Sequence, residues 1–205
     1  MTKSKVMCVA AAALAASCLW SATAWSAAED GQFAVKGIGV RSCGDFSRDY
    51  TEKSQNNLIF AGWLDGYITA LNRLQPSKFD AAPWQSTSLL LAMISNHCAA
   101  NPDERLFSVV HALLGFFSNQ SLKATSPSIE VKAGENKLSL YRDVLRMAQE
   151  ALVAAGDYTG TPDGVFGPKT RAAFEAFQER NGLTKSGLPS QETLYRLLGP
   201  NKSAN

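Results

Sequence analysis

Asp163-Gly164-Val165-Phe166-Gly167-Pro168-Lys169-Thr170 runs on into Arg171-Ala172-Ala173-Phe174-Glu175-Ala176-Phe177-Gln178, and this stretch decides the fold of the C-terminal region. Asp163-Gly164 is a turn signal, because glycine accepts positive φ without a steric cost. Gly167-Pro168 reads as a helix start, with proline at the first helical position, where no N–H is needed. Ala173, Phe174 and Phe177 then fall at helical spacing and make one apolar face.

A matching frame surrounds it. Upstream, Tyr141, Val144, Leu145, Ala148 and Leu152 recur every three or four residues, which predicts a helix from about Ser139 to Ala155, stopping near Gly156. Downstream, Asn181-Gly182 closes the central helix through left-handed capping chemistry. Leu183 and Gly187-Leu188-Pro189 lead to Ser190, a good N-cap, and to a last helix carrying Leu194, Leu197 and Leu198. Leu145-x-x-x-Gln149-x-x-Leu152, Asp163-Gly164-x-Phe166-Gly167-x-x-Thr170, Phe174-x-x-Phe177-Gln178, Gly182-Leu183, Gly187 and Thr193-Leu194 together resemble the peptidoglycan-binding-like domain of bacterial wall hydrolases, over 138–199. The resemblance implies a three-helix module that holds its host on peptidoglycan and does no chemistry. It implies ligand contact around the 163–170 turn and the exposed edge of the central helix, with Asp163, Gly164, Phe166, Thr170 and Gln178 as candidates. Gly164 and Gly167 serve the turn, and Phe174 and Phe177 the core.

At the other end, 1–28 reads as a secretory signal peptide. Lys3 and Lys5 precede an uncharged, alanine-rich run from Val6 to Trp20, too short to span a membrane, and small residues follow at Ala22-Thr23-Ala24 and Ser26-Ala27-Ala28. Cleavage after Ala28 or after Ala24 fits, and the expected location is the periplasm. Leu14-Ala15-Ala16-Ser17-Cys18 resembles a lipoprotein box, which keeps a lipid anchor at Cys18 open. The chain has 20 Lys and Arg against 18 Asp and Glu, and losing Lys3 and Lys5 brings these level. A neutral chain without a basic run has no electrostatic footprint for nucleic acid, and no membrane span is expected.

Export leaves Cys43 and Cys98, and two cysteines in an oxidising compartment are expected to pair. Closing a loop of about 56 residues restricts the unfolded chain by roughly 4 kcal/mol. A metal site with His97, Cys98 and His111 is the alternative, but it has no recognised ligand spacing.

The domain 29–119 reads as helical throughout from about Val40 to Asn119. Ser42 caps a first helix whose apolar positions are Phe46, Tyr50, Phe60, Trp63, Leu64, Tyr67, Ile68 and Leu71, with a bend at the polar Lys53–Asn57. Pro76 and Pro83 mark a loop in which Trp84 is a packing plug. A second helix spans Thr87 to Ala99, and Asn101-Pro102-Asp103-Glu104 predicts the start of a third. Gly66 admits either a neighbouring helix or a partner, so Trp63, Gly66 and Tyr67 form a possible partner surface. Cys43, Gly62-Trp63-x-x-Gly66-Tyr67 and Cys98-x-x-Asn101-Pro102 look like the small helical periplasmic proteins grouped with the acid-stress chaperone HdeA. Polar 120–137 reads as a flexible linker of about 25 Å, and 200–205 as a disordered tail.

The expected fold class is all-α: a disulfide-tied helical domain, a flexible linker and a three-helix module. No nucleophile–base pair, metal motif or cofactor motif stands out. The expected function is an exported, non-catalytic peptidoglycan-binding protein that presents an HdeA-like domain to a periplasmic protein. A wall-docked stress chaperone or inhibitor and an unrecognised hydrolase are the alternatives.

Overall fold

The computed structural model describes residues 31–200, so the expected signal segment, Cys18 and 201–205 lie outside it. Seven α-helices and one two-stranded sheet occur among the described residues. The order is α1 (Cys43–Thr51), α2 (Asn56–Leu74), α3 (Thr87–Ala100), α4 (Leu106–Phe116), β1 (Ser128–Ala133), β2 (Asn136–Tyr141), α5 (Arg142–Ala154), α6 (Pro168–Arg180) and α7 (Gln191–Leu198).

Local chemistry sets most of these boundaries. Ser42 caps α1 by accepting from the Asp45 N–H at 3.1 Å, and Ser86 caps α3 through the Leu89 N–H at 3.2 Å. The expected bend separates α1 from α2, with Lys53 in the left-handed region at φ 53°. Cys43 and Cys98 form a disulfide with their Cα atoms 4.7 Å apart. The same junction corrects the expected helix start at Asn101-Pro102. The carbonyls of Pro102 and Glu104 accept from the Gly44 and Cys43 N–H groups, two donors that α1 itself leaves unpaired. The 101–105 segment is thereby held as a turn, and α4 begins only at Leu106.

The larger correction is at 128–141. An antiparallel hairpin stands where a flexible linker and the first turn of a helix were expected, so the fold is mostly helical rather than all-α. Its loop is two residues long, with Gly134 at φ 59° in the first position, as a II′ turn requires. Val131 and Ala133 are buried between exposed neighbours, the period-two pattern of a one-sided strand. Ser128 pairs with Tyr141, and α5 follows at once.

Among the described residues, 35–200 form one compact unit. One buried cluster holds Phe46, Phe60, Leu64, Ile94, Leu106 and the disulfide. The other joins Val144, Leu145, Leu152, Phe174, Phe177 and Leu197 to Val131 of the hairpin and to Trp84 and Phe117. Trp84 is the expected plug, 6% exposed and edge-on to Phe117. Gln191 seals the contact, accepting from the Ser86 N–H at 2.7 Å and donating to the Trp84 carbonyl at 3.0 Å.

Candidate functional site

Two fully buried glutamines organise the C-terminal helices. The Gln149 amide nitrogen donates to Asp163 Oδ1, the Val165 carbonyl and Thr170 Oγ1, each at 3.1 Å. Its oxygen accepts from the Asp163 and Gly164 N–H groups at 2.9 and 2.7 Å. Gln178 repeats the device one helix later. It donates to the Leu188 carbonyl and Thr193 Oγ1 at 2.9 Å, and accepts from the Gly187 N–H at 2.8 Å.

The correspondence continues along the chain. Arg142 lies seven positions before Gln149, and Arg171 seven before Gln178. Val144, Leu145 and Ala148 are buried on α5, as are Ala173, Phe174 and Phe177 at matching positions on α6. Gly164 and Gly187 have φ 70° and 69°. A Cβ on Gly164 would stand 2.6 Å from Arg142 Cγ, and one on Gly187 would stand 2.8 Å from Arg171 Cγ. Thr170 and Thr193 each lie three residues past their helix N-caps, Gly167 and Ser190. The region is thus an internal duplication: a helix whose central glutamine clasps the following glycine turn and the start of the next helix.

This geometry divides the expected contact residues. Thr170 and Gln178 are 2% and 0% exposed with their polar atoms engaged, which corrects their expected place as ligand contacts. Each looked available only because a polar letter in sequence carries no burial. Gly164 is buried and shapes the turn. Asp163 and Val165 are exposed, and Phe166 is half-buried with its ring stacked near Phe174. The Val165 N–H, followed by the Gln149 amide, holds the Asp163 carboxyl below its ordinary pKa. Gln149 carries the larger share of the turn's hydrogen bonds, and the seven-residue Arg–Gln spacing, present twice, was the signal for it.

In the first region, Trp63 stacks on Tyr67 with ring centroids 5.6 Å apart. Its indole N–H donates to the Lys36 carbonyl at 3.0 Å, and a Cβ on Gly39 would stand 2.2 Å from its ring. Trp63 is therefore gripped rather than presented. Gly66 is exposed, with nothing within 4 Å of a Cβ there, so it admits no neighbouring helix. His97 hydrogen-bonds Glu104 at 3.0 Å and His111 hydrogen-bonds Tyr67 at 2.7 Å, both at the surface. Among the described residues, no group of three or more His, Cys, Asp or Glu side chains is placed to hold a metal ion.

A pocket of about 380 Å³ lies where the first region, the hairpin and the last three helices meet. Pro83 and Trp84, Ser128, Leu138 to Tyr141, Val144, Pro189, Gln191 and Leu194 line it.

Residues 142–197 match a family model described as "Putative peptidoglycan binding domain". Residues 142–197 form a peptidoglycan-binding-like domain. Its matched span opens on Arg142 and holds both glutamine clasps. The N-acetylmuramoyl-L-alanine amidase CwlM of Mycobacterium tuberculosis is 28% identical over 159 residues. That alignment takes in 76% of this chain and 36% of the amidase, so the chain spans about a third of its relative's length. No solved structure matches significantly. No helix among the described residues is long and apolar enough to cross a membrane.

Proposed function

We propose that this chain is an exported, non-catalytic wall-binding protein that carries a helical body for a periplasmic partner. The observation behind this reading is the match of 142–197 to a peptidoglycan-binding family, with both clasps within the matched span. The ligand edge is the exposed tip of the first turn, Asp163 and Val165, with Phe166 beside it. In the first region the two cysteines are joined, His97 hydrogen-bonds Glu104 and His111 hydrogen-bonds Tyr67. The body's resemblance to HdeA-type proteins rests on its helices, its cysteine pair, Trp63-x-x-Gly66-Tyr67 and Cys98-x-x-Asn101-Pro102, and its role is to meet another protein at the wall.

Co-sedimentation of the exported chain, 29–205, with insoluble peptidoglycan tests the reading. Pelleting in proportion to the wall material supports it, and a chain left wholly in the supernatant overturns it. The amidase relative favours a second reading, a hydrolase. Release of dye from labelled sacculi by the same chain would favour that one.

A further inference from the structure

We infer that the first helical region holds a site of its own, a small cleft along α2 that binds a free diamino acid of the lysine kind. The cleft lies outside 142–197 and does not depend on the wall-binding reading.

Asp65, Ile68, Thr69 and Asn72 recur every three or four residues, so they share one face of α2. The loop after α2 is pinned to this face at two points. The Ala81 N–H donates to Asn72 Oδ1 at 2.8 Å, and Thr87 Oγ1 donates to Asp65 Oδ1 at 2.7 Å. Between the pins lies a cleft of about 250 Å³, with Ile68 and Leu90 in its apolar lining. That is below the usual range for drug-sized ligands and suits a single amino acid.

The polar groups around the cleft are only half used. Among the described residues Asp65 and Asp80 are in no ion pair, and no lysine, arginine or histidine lines the cleft. Each carboxylate engages one oxygen: Asp65 Oδ1 takes the Thr87 hydroxyl, and Asp80 Oδ1 takes the Ala82 N–H at 3.0 Å. The Asn72 amide nitrogen makes no hydrogen bond to protein. Gln85 is 7% exposed, and its amide nitrogen is buried without a partner while its oxygen accepts from the Trp84 N–H at 3.4 Å. A buried donor left unpaired is costly, and an acceptor in the cleft that Gln85 lines would relieve it.

These groups specify a ligand. Two carboxylates without cations ask for two positive charges, and two amide nitrogens without acceptors ask for a carboxylate. The pins at Asp65 and Asn72 are two turns, about 10.5 Å, apart along α2, and Asp80 adjoins the second. Two ammoniums joined by about five carbons, with a hydrogen bond of about 2.9 Å at each end, have that reach. Free lysine supplies both ammoniums, the carboxylate and an alkyl stem for Ile68 and Leu90. A lysine inside a peptide lacks one ammonium, and a plain diamine lacks the carboxylate.

The experiment is a calorimetric titration of the exported chain, 29–205, with L-lysine, and amide NMR locates the response. Binding is expected, with shifts at Asp65, Asn72, Asp80 and Gln85. Norleucine, cadaverine and Nα-acetyl-lysine amide each lack one of the required groups. Each should bind about tenfold more weakly or worse, the loss expected for one hydrogen bond to a charged group. Asp65→Asn and Asp80→Asn should weaken lysine binding by a similar factor. Both should keep the parent's melting point, since an asparagine oxygen still accepts from the Thr87 hydroxyl or the Ala82 N–H. The analogue series is read on the parent chain, so it decides the matter whether or not a variant folds. No binding of lysine, shifts elsewhere, or parent-like binding by both variants would overturn the inference. Equal binding of any analogue would overturn it too, and equal binding of Nα-acetyl-lysine amide would make the occupant a residue of a partner protein.

Discussion

Trp84 donates its indole N–H to Gln120 Oε1 at 2.7 Å, and Gln120 in turn donates from Nε2 to the Leu198 carbonyl at 2.9 Å. A residue of the first helical region is thus linked to the last turn of the chain through one side chain. Trp84→Ala should cost about 3–5 kcal/mol, the range for a buried aromatic. Urea denaturation should show a single transition for the parent, read identically by near-UV and far-UV signals. Two separate transitions, with the C-terminal one untouched by the substitution, would refute the shared core.

The clasps predict the same kind of role, in different measure, for two glutamines. Gln149→Leu keeps the volume but strips partners from the Asp163 and Gly164 N–H groups, and Gln178→Leu does so to the Gly187 N–H. At about 1–3 kcal/mol for each buried donor left unpaired, Gln149→Leu should cost about 2–6 kcal/mol and Gln178→Leu about 1–3. Equilibrium unfolding of the two variants checks this, with Gln149→Leu the more damaging.

Two glycines should respond oppositely to alanine. At Gly164 the new Cβ would lie 2.8 Å from the Arg142 carbonyl oxygen, at φ 70°, so Gly164→Ala should lose more than about 1 kcal/mol. Gly66 sits inside α2 with open space around it, and Gly66→Ala should gain about 0.5–1 kcal/mol. Melting temperatures moving in the same direction would contradict the placement of one of them.

Acid should loosen the first turn. The Asp163 pKa is lowered in the fold, so its contribution is present above the unfolded value and is lost as pH falls through the lower native one. Asp163→Asn should flatten that acid limb in urea midpoints measured between about pH 2 and 7. An unchanged limb would mean that other carboxylates carry it.

Cutting the disulfide should weaken the first region. Closing a loop with a sequence separation of 55 stabilises by roughly 4 kcal/mol in loop-entropy terms. Cys43→Ser with Cys98→Ser should lower the urea midpoint accordingly, and an unchanged midpoint would show that the reduced chain holds those ends together by itself.

The sequence was most informative where structure is decided locally. Pro168 at a helix start, Ser190 as a cap and Gly182 at φ 67° are fixed by their own backbone chemistry, and each was legible. Asn101-Pro102 has equally good local chemistry, yet the carbonyls around it serve the start of α1, a demand from a segment far away in sequence. The hairpin was visible in the alternation of Ile129, Val131 and Ala133 with polar residues, but the polar letters around it dominated the reading. Thr170 and Gln178 were misplaced for a related reason. Their hydroxyl and amide groups suit a ligand as well as they suit a buried turn, and only the packing chooses between them.

The Trp84–Gln120–Leu198 chain of hydrogen bonds also bears on how this molecule would respond to a pull. A slack tether lets a pull on one end stretch the connection before the other end feels it. Here 142–197 is joined to the Trp84 loop through Gln120, through Gln191 and through a shared buried cluster, so a load on either side would be spread over all three.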